Sequence, residues 1–426
     1  MNSSNKSKSF EKSGFLVLFL SIFGSGLNYL FQILSGRILD TASYGELNSL
    51  FSIVNIVTVL GTALSLGIVK YVAEKDNNFG GSIIKIFKQS SVVGLVVFAL
   101  LTGILTYIFK FNLLSSLLSS FSIALFSLSY VFYGVLQGKK DFMGVSIFNL
   151  IQPVFKITLG ILGILLMVKL NVAIPYNIVF VIMSVASVVA CLFAYLKSKK
   201  IGINYTSEYD NVLVKNIYKF FLFSLMSSVC LVIFNNIDIL VIRQFFDETT
   251  VGYYSSAALF GKIILYIPTA FTIMMVPLVA ENPHNSGKVL KKTLIYAGGL
   301  SSFSAVILYL LRNFIIKILM GEKYLASADY ILPVCVMILP LVFVTVLVNY
   351  LLAAGYEKFA TATSAFAVIM MLVSAYFVHQ YVETVLYIFT AIYICLLIVL
   401  SVKCVLCQTD KTKTNSKKLN KVGVKK

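Results

Sequence analysis

Two stretches of this chain carry the same marks in the same order. Arg37-Ile38-Leu39-Asp40, then Tyr44-Gly45, then Val72-Ala73-Glu74 recur as Arg243-Gln244-Phe245-Phe246-Asp247, Gly252-Tyr253 and Val279-Ala280-Glu281. The arginines are 206 apart, and the glycines and glutamates 207. Further on, Gly138-Lys139-Lys140-Asp141-Phe142 recurs as Gly355-Tyr356-Glu357-Lys358-Phe359, 217 apart, so one insertion in the second copy accounts for the slip of ten. The chain divides accordingly into a tail (1–14), a six-helix unit (15–205), a second six-helix unit (206–407) and a basic tail (408–426). Duplicated membrane bundles with a substrate site between the halves are a common construction of secondary transporters. The repeat therefore implies transport before any single residue does.

The repeat lies in strongly apolar sequence. The chain is 59% apolar and 12% charged, with mean hydropathy +0.92, whereas about a quarter of a globular chain is charged. A bilayer core takes roughly 20 consecutive apolar residues per helix. Twelve such runs are present, near 15–35, 46–69, 89–109, 113–136, 145–168, 174–196, 218–242, 253–280, 293–316, 328–354, 359–380 and 382–406. They do not alternate as membrane strands would. The expected fold is an all-α integral membrane protein of about twelve transmembrane helices, two six-helix repeats of the same orientation forming two lobes around a central cavity.

A net charge of +18 would suit nucleic acid, but its distribution follows the membrane. With the N-terminus placed inside, 26 of the 35 Lys and Arg fall on the cytoplasmic side. Seven fall outside (Arg37, Lys110, Lys169, Arg243, Arg312, Lys317, Lys323), and Lys156 and Lys262 lie within spans. This is the positive-inside asymmetry, and it predicts cytoplasmic termini. The basic tail reads as a topology and anionic-lipid signal, and no nucleic-acid partner is expected.

Enzyme chemistry finds little material. The two histidines, His284 and His379, have no companions at metal-ligand or triad spacing, and no Gly-rich phosphate loop is present. No catalytic residue, metal or cofactor is expected, and the six cysteines, all in or at the ends of spans, imply no disulfides. Energy would come from an ion gradient, with H⁺ or Na⁺ as candidates, from the membrane potential or from the substrate gradient.

Charges at membrane depth are costly and face a cavity or a partner. Lys156 sits about eleven residues into the fifth span, roughly 16 Å deep at 1.5 Å per residue. Gln152 is one turn earlier on the same face, and Pro153 between them can loosen the helix. Lys156 reads either as a cation facing an anionic substrate or as a lysine snorkelling to the interface. Lys262 in the eighth span poses the same choice. The repeat equates it with Asn55, so both join the cavity candidates.

The seventh span carries Asn235, Asn236 and Asp238 before Arg243. At the arginine register Asp238 corresponds to Gln32, with Asn28 a turn earlier, so both copies place polar residues on their first helix. Asp238, with Asn235 on its face, either couples transport to a cation or pairs with Arg243 or another base. Arg37 and Arg243 at the outer ends, and Lys70, Glu74 and Glu281 at the inner ends, are gate or topology candidates. Pro268 and Pro277, and Pro333 and Pro340, mark kinks in the eighth and tenth spans.

The motifs Gly36-Arg37-Ile38-Leu39-Asp40…Tyr44-Gly45-Glu46-Leu47, Ile237-Asp238…Val251-Gly252-Tyr253-Tyr254-Ser255-Ser256-Ala257 and Met320-Gly321-Glu322-Lys323-Tyr324 resemble polysaccharide-export flippases. Those belong to the multidrug/oligosaccharidyl-lipid/polysaccharide superfamily, and the resemblance spans about 10–405. It implies alternating access, with a glycan on a polyprenyl diphosphate moved from the inner to the outer leaflet of a bacterial plasma membrane. Lys156 and Lys262 would meet the anionic headgroup. Implied partners are the lipid-linked oligosaccharide, membrane lipids and other polysaccharide-assembly membrane proteins. Cationic-drug extruders share the fold but favour cavity carboxylates, and lipid II flippases typically have fourteen spans. A multispanning polymerase or glycosyltransferase would call for a large outer loop, and the loops here are short.

Overall fold

The computed structural model describes residues 3–73, 77–281 and 286–423. The described residues are helical throughout, without a strand. Helices α1 (Ser3–Ile38), α2 (Thr41–Val72), α3 (Gly80–Gly103), α4 (Leu113–Gly138), α5 (Phe142–Phe155), α6 (Ile161–Lys169) and α7 (Asn177–Lys200) belong to the first copy. Then come α8 (Asn211–Phe234), α9 (Ile237–Phe245), α10 (Glu248–Ile263), α11 (Tyr266–Glu281) and α12 (Ser286–Leu310). The chain closes with α13 (Arg312–Leu319), α14 (Ala328–Ala353), α15 (Glu357–Phe377) and α16 (Val382–Gly423). Among the described residues ten helical segments are long and apolar enough to cross a membrane, or eleven counting the bent pair Ser228–Phe234 and Ile237–Phe245. Twelve were expected, and the remaining one, 15–35, falls inside α1.

The repeated motifs turn out to be turn and capping signals. Asp40 precedes α2 and its Oδ1 accepts from the Ser43 N–H at 2.8 Å. Asp247 precedes α10 and accepts from the Thr250 N–H at 3.0 Å and the Thr250 hydroxyl at 2.6 Å. Each carboxylate satisfies donors that a helix start leaves orphaned. Asp141 does the same for α5 through Gly144, following Lys140 in the left-handed region. The corresponding turn in the second copy uses Gly355 at φ +86° before α15.

The slip of ten also has a physical location. Starts of α3 and α12 (80 and 286) differ by 206, whereas starts of α4 and α14 (113 and 328) differ by 215. Between them the second copy inserts α13 and a 3₁₀ turn, Glu322–Ser327, where the first copy has a short bend after Ile108.

The chain forms two compact units, Met1–Val232 with Phe246–Gly252, and Ile233–Phe245 with Tyr253–Lys426. The first therefore takes 206–232 in addition to 15–205. Packing explains this. Lys85 donates to Asn211 at 2.7 Å and the Asp210 N–H to Ser82 at 2.8 Å, while Leu213, Val214 and Ile217 join Ile68, Val72, Ile83 and Val135 in one buried core. Within this unit α2 lies along α4 and α4 along α7. Small residues allow the approach, since a Cβ on Gly134 would stand 3.0 Å from the Ser65 backbone, and one on Gly61 the same distance from Ser127. Gly45 and Gly252, the repeat-related glycines, meet each other: a Cβ on Gly45 would lie 2.6 Å from the Gly252 nitrogen, and one on Gly252 1.9 Å from the Thr41 carbonyl oxygen.

In the second unit α14 is the central helix, packed by α11, α12 and α16. Its two prolines, Pro333 and Pro340, lie inside one continuous helix. The eighth span breaks at Ile264–Leu265, one turn before the expected kink residue Pro268, which has no N–H to offer the Ile264 carbonyl. Exposed apolar side chains such as Val92, Leu95, Val96 and Leu100 on α3 face outward as a lipid-bathed surface requires.

Candidate functional site

The first unit holds a cation that no carboxylate among the described residues neutralises. Pro153 lies inside α5, and the five residues from Lys156 to Gly160 form a π-helical turn before α6. Such turns recur where a helix is bent to present a functional group. The Lys156 ammonium stands 5.4 Å from the ring centre of Phe51 on α2 and 5.9 Å from that of Phe31 on α1. The two rings meet edge to face at 5.9 Å, and Phe51 rests on Phe180 of α7. Among the described residues no hydrogen-bond acceptor or acid reaches this half-buried amine. Aromatic faces attract a cation without consuming its hydrogen-bond donors, so all three donors remain for a ligand.

On α1, Asn28 lies one turn before both Phe31 and Gln32, at spacings of three and four. Asn28 donates to the Gly24 carbonyl at 3.2 Å. Its Oδ1 and the Oε1 of Gln32 are buried with no hydrogen-bond partner among the described residues. Of the predicted cavity residues, the structure sets Lys156 against Phe31 and leaves Asn28 and Gln32 on the same helix within one turn of that ring. Gln152 turns to α7, where its amide donates to the Ser187 hydroxyl at 2.9 Å in a buried contact. Asn55 is exposed on α2.

In the second unit three residues converge. Asp238 is 1% exposed and sits in the first turn of α9, just past a 53° bend in the seventh span. Asn235, an expected coupling residue, lies in that bend, between α8 and α9. One Asp238 oxygen accepts from Lys262 at 3.0 Å and the other from the Tyr254 hydroxyl at 2.6 Å. Tyr254 and Lys262 are eight residues apart on α10, two turns and hence one face. Lys262, read as a cavity lysine, and Asp238, read as a coupling residue, are thus one ion pair. Tyr393 on α16 stands in the field of this carboxylate and donates to the Phe234 carbonyl at 3.1 Å.

The outer and inner candidates are placed unequally. Arg37 is exposed and Arg243 buried, although the repeat equates them. Lys70 stands 4.1 Å over the Phe220 ring of α8. Its expected neighbour Glu74 lies outside the described residues, and so does the side chain of Glu281. Two participants lie within the quoted motifs but were assigned no role from the sequence. Tyr254 is one of 24 tyrosines, and Glu46 is met by the Tyr176 hydroxyl, a pairing across 130 residues.

With this geometry in hand, the comparisons with known proteins become informative. Residues 12–282, more than half of the chain, match the family described as polysaccharide biosynthesis protein. The chain belongs to that family. Comparison with curated protein sequences gives no significant match. Among solved structures, the chain is similar to an inward-facing multidrug resistance MATE family transporter of the MOP superfamily, at TM-score 0.68 and 13% identity over 92% of this chain and 96% of the other. It is equally similar to the lipid II flippase MurJ in an inward closed conformation, at TM-score 0.68 and 16% identity over 91% and 87%. A third likeness is to a MOP superfamily transporter from Pyrococcus furiosus Vc1, at TM-score 0.55 and 13% identity over 92% and 95%, described for the reverse polarity of its binding pocket. At these identities the likeness establishes the fold. The chain is a multi-pass membrane protein with the MATE and MurJ fold.

Proposed function

We propose that this protein is a flippase that moves a lipid-linked oligosaccharide from the inner to the outer leaflet by alternating access. The observation that carries the reading is the Lys156 ammonium, held over two rings with no counter-charge among the described residues. A half-buried cation without a counter-charge is costly, and a diphosphate supplies the missing charge. Asn28 and Gln32 add unused amide oxygens that suit sugar hydroxyls. The family concerns polysaccharide biosynthesis, one fold neighbour is a lipid II flippase, and another has a pocket of reversed polarity. The first two support a lipid-linked substrate, Lys156 supports an anionic one, and the reading places the protein in the plasma membrane of a bacterium.

An extruder of organic cations would need an available carboxylate. Here Asp238 is bridged by Lys262 and Tyr254, and Glu46 by Tyr176. The reading adopted is transport without catalysis, and the carbohydrate chemistry falls to other membrane enzymes of polysaccharide assembly.

The test is flipping of a polyprenyl-diphosphate oligosaccharide in proteoliposomes. A charge-assisted contact is worth about 1.5–3 kcal/mol, so Lys156→Ala should lose roughly tenfold or more in apparent affinity while inserting normally. Wild-type flipping by this variant would refute the role given to Lys156.

A further inference from the structure

The turn that opens the fifth span of each copy is met by a lysine from the sixth, and the two copies treat that lysine differently. In the first copy Lys197 of α7 stands 3.8 Å from Asp141, the residue that caps α5. In the second copy the turn Gly355-Tyr356-Glu357-Lys358-Phe359 puts Lys358 where the first has Asp141. Lys403 of α16 therefore has no such carboxylate to meet. Its ammonium lies instead 4.9 Å from the ring centre of Tyr356 and 5.4 Å from that of Phe359. Neither Glu357, in the same turn, nor any other acid among the described residues forms an ion pair with it.

The surroundings of Lys403 point to what completes it. It lies three residues before Leu406, the end of the last span, Val382–Leu406, or about 5 Å at 1.5 Å per residue. That end is on the side that the Lys and Arg asymmetry assigns to the cytoplasm. Val399 and Leu406, a turn before and a turn after Lys403 on the same helical face, are 45% and 53% exposed. An exposed apolar face suits acyl chains rather than water. Rings attract a cation without using its hydrogen-bond donors, so three N–H groups stay available at the depth where hydrocarbon gives way to headgroups.

We propose that Lys403 and the turn before α15 form a binding site for an anionic phospholipid of the cytoplasmic leaflet. The lipid phosphate meets the ammonium, and the acyl chains lie along Val399, Val402 and Leu406. Lys358, exposed in the first turn of α15, adds a second positive charge to that turn. The same corner is thus closed by an internal aspartate in the first copy and by a lipid in the second. The site stands apart from the flippase reading, which rests on Lys156.

The test is native mass spectrometry of the full-length protein released from phosphatidylcholine nanodiscs containing a minor share of phosphatidylglycerol. The wild type should retain one phosphatidylglycerol more than Lys403→Gln. In a titration its affinity for that lipid should be roughly tenfold higher or more, as a charge-assisted contact implies. Lys403→Arg keeps the charge and stacks on rings, so it should hold the lipid. Lys156→Ala should hold it too, and so should Lys199→Gln, which removes an exposed lysine at the corresponding end of α7. Equal retention by wild type and Lys403→Gln would overturn the site. Equal losses in Lys199→Gln and Lys403→Gln would reduce it to general surface charge. Displacement of the lipid by an equimolar polyprenyl diphosphate would overturn it in favour of the substrate's own headgroup. Occupancy by inorganic phosphate in nanodiscs of phosphatidylcholine alone would overturn it in favour of a free anion.

Discussion

At the residue scale the two intramembrane lysines do different work, although their sequence contexts look alike. Lys156 meets two rings, and Lys262 meets a carboxylate. If the rings tune Lys156 and the charge binds, the variants should separate. Lys156→Met keeps the apolar stem and removes the charge, so diphosphate binding should fall at least tenfold. Phe51→Leu should weaken binding only about two- to fivefold, since a cation–π contact that water still reaches is worth about 0.5–1 kcal/mol. Lys156→Arg keeps charge and stacks on rings, so it should retain most of the affinity. Equilibrium binding of a polyprenyl diphosphate to the three variants decides the order, and equal losses for Phe51→Leu and Lys156→Met would refute it. The sequence made Lys156 and Asp238 visible because charge within an apolar run is conspicuous. It could not show that Asp238 and Lys262 pair, because 24 positions and the turn from α9 to α10 lie between them. Nor could it single out Tyr254, whose role exists only where α9 and α10 meet.

Elements explain the repeat more economically than gating does. The marks that recur are caps and close approaches, so the copies are alike where helices start and differ where chemistry is placed. Asp247 illustrates this: hydrogen bonds from the Thr250 side chain and backbone hold its carboxyl below the usual carboxylate range. A depressed folded value contributes stability above the unfolded value, near 4, and that contribution is lost as pH falls through the folded value. Asp247→Ala should therefore cost about 1 kcal/mol at neutral pH, with the difference from wild type vanishing at strongly acid pH. Thermal unfolding of the purified protein across that range measures it. The glycine pair gives a second test. A methyl on Gly252 would stand 1.9 Å from a carbonyl oxygen and one on Gly45 2.6 Å from a nitrogen, so neither can be accommodated without moving backbone. Gly252→Ala should be the more destabilising of the two, by about 1–3 kcal/mol. Helix existence was legible because apolar runs of this length have few alternatives. The break at Asn235–Asn236 was not, since no glycine or proline occupies it, whereas the one at Ile264–Leu265 falls one turn before Pro268, where a kink was expected. The prolines that were expected to kink α14 sit in an unbroken helix.

At the scale of the whole molecule, the charge asymmetry and the proposed activity make one joint demand. If the inner loops are those rich in Lys and Arg, the cytoplasmic leaflet is where a lipid-linked glycan is loaded. Reporter fusions at 200 and at the C-terminus should then both score cytoplasmic, and a fusion at 110 should score outside. Deleting the gene should leave the polyprenyl-linked oligosaccharide on the cytoplasmic face, inaccessible to enzymes added to intact spheroplasts, while the surface glycan disappears. Re-expression of the wild type should return the lipid-linked sugar to the outer leaflet, and Lys156→Met should not, although it inserts to the same level. An intact surface glycan in the deletion strain, with new sensitivity to cationic compounds, would instead identify an extruder. Lys156 would then lose its assigned ligand, and the ring-bound ammonium would become an anchor between α1, α2 and α5. The two outcomes differ in the charge of what is moved. That is the property on which the first unit, with a cation and no counter-ion among its described residues, makes its clearest commitment.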